Sequence, residues 1–346
     1  MQWVPFGTCV ADGRVAVNGL AWFAENAPHV WRLPARLKSV VRPEVWRLAT
    51  HPAGGRLRFR TSSTALGVRV SYPDSAGHYN MSLIGQMGID LYTDGHYARS
   101  VAPPTISAPQ AGPFESVIVE GLEPAWREVA LYLPNYNPIE ILAIGVSDGA
   151  ELGPPAPFAV EKPVAFYGSS ITQGGCASRA GMSYQAIIGR KLGIDFVNLG
   201  FSGNGLGEPE LAAAMAEIDA SCYVLDFAQN LRDPEKVREV YGPFMRVIRE
   251  RRRDAPMVAI TPIYAAWQWL SADVRERFGG MRQVIRDAVG ERIAAGDAHL
   301  QLIEGYTLLG PDLADGFADG VHPNDVGFQA MADHLAPVLA GILGLG

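Results

Sequence analysis

Cysteine is scarce in this chain: Cys9, Cys176 and Cys222 are the only three in 346 residues. An odd number cannot all pair internally, and the spacing fits no zinc motif, so neither a disulfide framework nor a structural metal site is expected. Buried or incidental thiols are the default reading, and Cys176, with no basic neighbour to lower its pKa, is a poor candidate nucleophile. Positive charge is also in deficit, 29 Lys and Arg against 36 Asp and Glu for a net −7, which argues against a nucleic acid or an anionic membrane as partner. The one basic run, Arg249 to Arg253 broken by Glu250, falls where a helix should end and cations complement its dipole. No apolar stretch reads as long enough to span a membrane, and the N-terminus, Met1-Gln-Trp-Val-Pro-Phe-Gly7, lacks a basic region followed by an apolar one. A cytoplasmic protein is expected. A dinucleotide fingerprint and a Walker lysine are missing as well, since Gly203-Asn-Gly205-Leu-Gly207 has the wrong spacing.

What the chain does have is apolar content, 48% against 19% charged, and a length that points to two domains. The first 150 or so residues carry a period of two. Leu57, Phe59 and Thr61 alternate with Arg56, Arg58 and Arg60, and Val68, Val70 and Tyr72 with Gly67, Arg69 and Ser71. Further strands are predicted at 88–92, 97–101, 115–119, 128–133 and 139–146, separated by turn signals such as Asp94-Gly95 and Gly112-Pro113. Many short strands without a convincing helix indicate an antiparallel β-sandwich of jelly-roll type. The Pro/Gly-rich segment Asp148 to Pro157 is a linker, which divides the chain into domains 1–155 and 156–346.

Beyond the linker, strands and helices alternate. Strands are predicted at 163–167, 196–199, 222–227, 257–261 and 300–303. Helices are signalled by Ser183, Asp233-Pro234, Ser271 and Asn324 at their starts, and by the stripe Leu211, Met215, Ile218. Five strands alternating with five helices mean a parallel sheet covered on both faces.

Candidate functional residues recur at strand ends, where open α/β sheets place their ligands. Gly168-Ser-Ser-Ile-Thr172 presents a serine after the first strand. The glycine-rich loop Asn198 to Gly207 follows the second, and Asp226-Phe-Ala-Gln-Asn230 places an amide after the third. In Asp319-Gly-Val-His-Pro-Asn324, a carboxylate three residues before a histidine can bond Nδ1–H and leave Nε2 to accept a proton. The loop 262–270 carries Tyr264, Trp267 and Trp269, readable either as packing under the next helix or as an aromatic wall of a substrate pocket.

Taken together and in this order, these blocks resemble those of the SGNH hydrolases, the GDSL-type esterases. The resemblance implies Ser170 as nucleophile, His322 and Asp319 as its partners in a catalytic triad, and Ser170, Gly203 and Asn230 as the oxyanion hole. It also implies a flavodoxin-like catalytic sheet and no metal or organic cofactor. Two departures stand out: Ser169 replaces the usual aspartate, and Asn230 lies in Asp-Phe-Ala-Gln-Asn instead of Gly-x-Asn-Asp. Gly88-Ile-Asp-Leu-Tyr92 and Leu131 to Asn137 resemble segments of the β-sandwich that precedes the hydrolase domain in some bacterial members. Hydrolysis of a small-molecule or carbohydrate ester is the function expected. Acyl transfer to a hydroxyl acceptor is the alternative, and a non-catalytic carbohydrate-binding protein is a second one. The N-terminal domain could wall an acceptor pocket, bind carbohydrate or hold a homo-oligomer together.

Overall fold

The apolar run ending at Gly168 forms a strand, Val164–Gly168, in which all five residues are buried. In this computed structural model, which describes residues 1–107 and 112–346, that strand pairs in parallel with Phe196–Gly200 on one side and Cys222–Asp226 on the other. Met257–Ile260 and Leu300–Ile303 extend the sheet, also in parallel. Counted in chain order, the five strands lie 2-1-3-4-5 across the sheet, the flavodoxin-like winding. The chain leaves the first strand towards one edge and returns to the third on its other side, so a crevice opens at the carboxyl ends of strands one and three.

Three of the five main helices begin at a side chain that serves a first-turn N–H group, whereas Ser183 stands at the N-cap of its helix without making the expected side-chain bond. Ile187 and Ile188 of Tyr184–Leu192 and Leu211 and Met215 of Pro209–Glu217 are buried. Asp233 accepts the Glu235 N–H ahead of Pro234–Arg251, and Ser271 the Val274 N–H ahead of Ala272–Ala294. Asn324 accepts from both Val326 and Gly327 at the start of Asp325–Leu343. This last helix corrects one expectation, because by length and a mean hydropathy of 1.3 it does reach membrane-spanning size. Its Phe328, Met331, Leu335 and Leu339 are buried within the protein, as in a core helix with one apolar face.

The other part of the chain is built on two antiparallel sheets. One has four strands, Gln2–Pro5, Glu140–Val146, Ala65–Ser71 and Phe114–Glu120 in spatial order; the other has six, with Arg56–Thr61, Arg127–Tyr132, Ile89–Thr93 and His96–Val101 adjacent. Phe59, Val68, Ile118, Val129, Leu131 and Ile144 belong to one buried apolar cluster, the core of a sandwich. Helices are present in the first 150 residues after all: Phe6–Ala11, Pro43–Ala49 and Leu83–Met87. At five to seven residues each, they are too short to display a helical period.

Two compact units result, one of Met1–Arg36, Arg47–Phe158 and Ser178–Gly181, the other of Leu37–Trp46, Ala159–Ala177 and Met182–Gly346. The main change of unit thus falls between Phe158 and Ala159, just past the 155/156 cut, and two short segments cross over. Long-range side-chain contacts hold them. Arg42 binds the Glu208 carboxylate and Asn204 Oδ1 in the second unit. In the first, buried Asp90 accepts the Gly181 N–H at 2.6 Å, and the Arg179 guanidinium lies 3.8 Å from the Tyr97 ring centroid.

Candidate active site

At the end of its first strand the sheet turns into the short helix Ser170–Gln173. The turn is as tight as it is because residue 168 has no side chain: a Cβ there would lie 1.9 Å from Thr172 Oγ1 and 2.5 Å from the Asp226 carbonyl oxygen. Ser169 caps the helix, its Oγ accepting the Ile171 N–H at 3.2 Å. Serine and aspartate are both good N-caps, so the departure at 169 leaves this local structure intact.

Ser170, 7% exposed, places Oγ 2.8 Å from His322 Nε2. On the far side of the ring, Nδ1 lies 2.8 Å from Asp319 Oδ2. The other oxygen of Asp319 accepts the backbone N–H groups of Val321 and His322 at 3.0 and 2.8 Å. One carboxylate therefore folds the turn and orients the imidazole. With the carboxylate on Nδ1, the network assigns the proton to that nitrogen and leaves Nε2 as an acceptor facing Oγ. The turn is pinned by Ala318 N–H to the His322 carbonyl at 2.8 Å and by Asn324 N–H to the Gly316 carbonyl at 2.9 Å.

Gly203 sits in the loop after the second strand at φ +68°, a conformation that favours glycine, and a Cβ there would meet nothing within 4 Å. Its N–H donates to no group among the described residues. Neighbouring contacts hold the loop: Ser202 N–H donates to Gln173 Oε1 at 2.9 Å, and Gly205 N–H to Asn230 Oδ1 at 3.2 Å. That second bond fixes the Asn230 amide with its Nδ2 turned away from Gly205. Ser170, Gly203, Asn230 and His322 line one cavity of about 380 Å³.

The aromatic loop divides. Tyr264 and Trp267 line the same cavity, Trp267 60% exposed, while Trp269 is 80% exposed and does not line it. Trp267–Leu270 is itself a short helix. Sequence reasoning missed two arginines at the cavity, Arg232 and Arg277, because a lone arginine in a turn or on a helix carries no local signature. It missed Asp226 as well, which ends the third strand fully buried. Burial pushes this carboxyl up to about 7, against hydrogen bonds from Gln229, Tyr184 and Thr172 that favour the charged form.

Cys176 Sγ, Asp319 and His322 offer three ligand atoms within 4.8 Å of one another. As a metal site the set fits poorly. The thiol is pushed up to about 12 by burial and by the Asp319 carboxylate, and an ion would have to take ring and carboxylate atoms already engaged in the chain to Ser170.

An open parallel sheet with a serine, histidine and aspartate joined at its carboxyl edge is the arrangement of a serine hydrolase of SGNH type. The sequence profile of the GDSL-like Lipase/Acylhydrolase family matches residues 161–340, and that of the N-terminus of SGNH-hydrolase-type esterases matches residues 4–152. The chain belongs to the GDSL-like lipase/acylhydrolase family and is an enzyme acting on ester bonds. A GDSL-like lipase from Bacteroides ovatus has a similar structure, with 30% identity, a TM-score of 0.87, and coverage of 99% of this chain and 98% of that one. The salicylyl-acyltransferase SsfX3 from a tetracycline biosynthetic pathway shares the fold at 22% identity and TM-score 0.80, covering 99% and 97%. A GDSL lipase of Mycobacterium tuberculosis is 29% identical over 199 residues, 51% of this chain and 81% of its own.

Proposed function

We propose that the enzyme hydrolyses a carboxylic ester of a small molecule or carbohydrate through an acyl-serine at Ser170. The observation that carries this reading is the unbroken hydrogen-bond path from Ser170 Oγ through His322 to Asp319, with both links at 2.8 Å. A serine hydroxyl is a weak nucleophile, so His322 Nε2 takes its proton as Oγ attacks the ester carbonyl carbon. Asp319 stabilises the imidazolium that forms. The charge arriving on the carbonyl oxygen meets the N–H groups of Ser170 and Gly203 and the Nδ2 of Asn230, which need no reorganisation at that moment. His322 returns the proton to the departing alkoxide. It then deprotonates a water molecule that releases the acid and frees Ser170. An alcohol in place of that water would make the same intermediate serve transfer, the reaction that the salicylyl-acyltransferase's name states for that protein.

The test is turnover of activated short-chain esters. Ser170→Ala should cost roughly a factor of 10⁶, and Ser169→Ala far less. Near-wild-type turnover in Ser170→Ala would sink the assignment. Supplying sugar and phenolic alcohols at saturating concentration and weighing transfer product against free acid by mass spectrometry separates the two outcomes. Free acid dominating with every alcohol supports hydrolysis; one alcohol capturing most of the acyl group overturns it in favour of transfer.

A further inference from the structure

Two cations line the cavity that holds Ser170 and His322, and no aspartate or glutamate lines it. Arg232 follows the third strand and precedes the helix capped by Asp233; Arg277 lies on Ala272–Ala294. Most arginines of this protein are engaged, as Arg42 is with Glu208, Arg249 with Asp297, Arg286 with Glu304 and Arg282 with the carbonyls of Pro262 and Ile263. Arg232 and Arg277, both exposed, are among the few that are not: no hydrogen bond or ion pair engages either guanidinium among the described residues, and of these few they are the two that line the cavity. Arg232 also holds a backbone φ of +58°, a region that residues with a side chain seldom occupy and that tends to persist at functional sites. In a chain of net charge −7, a cavity lined by two unengaged guanidiniums and no carboxylate is a local inversion of the molecule's overall field.

We propose that the natural substrate carries an anionic substituent, a carboxylate or a phosphate, and that Arg232 and Arg277 receive it while Ser170 attacks the ester. The guanidinium fork suits both groups, each presenting two or more oxygens to parallel N–H donors. The aromatic and apolar lining from Tyr264, Trp267 and Phe278 would hold the uncharged part of the molecule. This rests on the esterase reading, and one arm of the test is independent of it.

In the first arm, kcat/KM is compared within pairs of matched esters: a butyrate against a hemisuccinate of one alcohol, and acetylated glycerol against acetylated glycerol phosphate. Wild type should prefer the anionic member of at least one pair by roughly tenfold. Which pair responds tells whether the charge lies on the acyl or the alcohol side. The preference should shrink in Arg232→Gln and in Arg277→Gln, vanish in the double variant, survive in part in the Arg→Lys pair, and fall as salt is added. In the second arm, succinate and inorganic phosphate are titrated into wild type and into the double Gln variant by calorimetry. Binding weakened at least tenfold in the variant is expected. Equal handling of charged and neutral esters by wild type, or an anion preference that outlives both substitutions, overturns the proposal. Failure of every ester to turn over, with anion binding still lost in the double variant, would instead sink the esterase reading and leave the anion site standing.

Discussion

Each side chain at the cavity has a different job, and substitution should separate them. In the mechanism proposed above Asn230 contributes a donor whose value rises as charge develops on the substrate, so Asn230→Ala should lower kcat by roughly 10²–10³ with little change in KM. An effect confined to KM would make it a ground-state binding residue. Asp319 acts through the ring of His322. Asp319→Asn should cost roughly 10⁴ in kcat while substrate still binds, as steady-state kinetics would register. Trp267 lines the cavity and Trp269 does not, so only Trp267→Ala should change the order of preference among acetyl, octanoyl and benzoyl esters. If Trp269→Ala reorders that preference as strongly, the division of the loop is wrong. At this scale the sequence was legible wherever function is written in a short window. Gly168-Ser-Ser and Asp319-x-x-His322 are such windows, because here the serine leaves its strand abruptly after Gly168 and the carboxylate reaches the histidine ring from within one turn. Arg232 and Arg277 were illegible because their meaning depends on which cavity they reach.

The elements obey a related rule. Long buried strands and capped helices were readable, since Val164–Gly168 shows its burial in composition and Asn324 its role in position. The short helices Phe6–Ala11 and Pro43–Ala49 were not, as one or two turns leave no period to detect. Strand ends also hold a testable electrostatic feature in Asp226. An unfolded chain ionises this residue near pH 4, whereas in the folded protein burial holds its pKa up to about 7. Between those values the folded state keeps a proton that the unfolded state has lost, so stability falls as pH rises through the window and is level above about 7. Asp226→Asn removes the titration. Gln229, whose Oε1 is buried without a partner among the described residues, can turn its amide to accept from the new Nδ2. The stability of Asp226→Asn relative to wild type should therefore climb from pH 4 to 7 by up to about 1.4 kcal/mol per pH unit, measured by denaturant unfolding at each pH. A difference that stays flat would mean the carboxyl is charged throughout.

For the molecule as a whole, average properties carried less than they promised. A net charge of −7 describes only an average over the molecule and says nothing of a cavity lined by two arginines. Composition read 148–157 as a linker, whereas that segment belongs to the first unit and pairs Leu152 and Gly153 with Thr61 and Arg60; nor could it reveal that residues 37–46 and 178–181 change units, because the ties that accompany the change, Arg42 to Glu208 and Gly181 to Asp90, join residues far apart in the chain. All three cysteines are buried, and burial pushes the thiols of Cys176 and Cys222 up to about 12, with that of Cys9 raised as well. At neutral pH the folded protein thus presents no thiolate to the solvent. A chromogenic disulfide reagent should find no fast-reacting group in the native protein and three after denaturation. That outcome would make the molecule a blank for attachment chemistry directed at thiols. A single cysteine introduced at the 80% exposed position of Trp269 would then be the one handle for a maleimide dye, and a fluorophore there would report on ligands entering the neighbouring cavity from a position that does not line it.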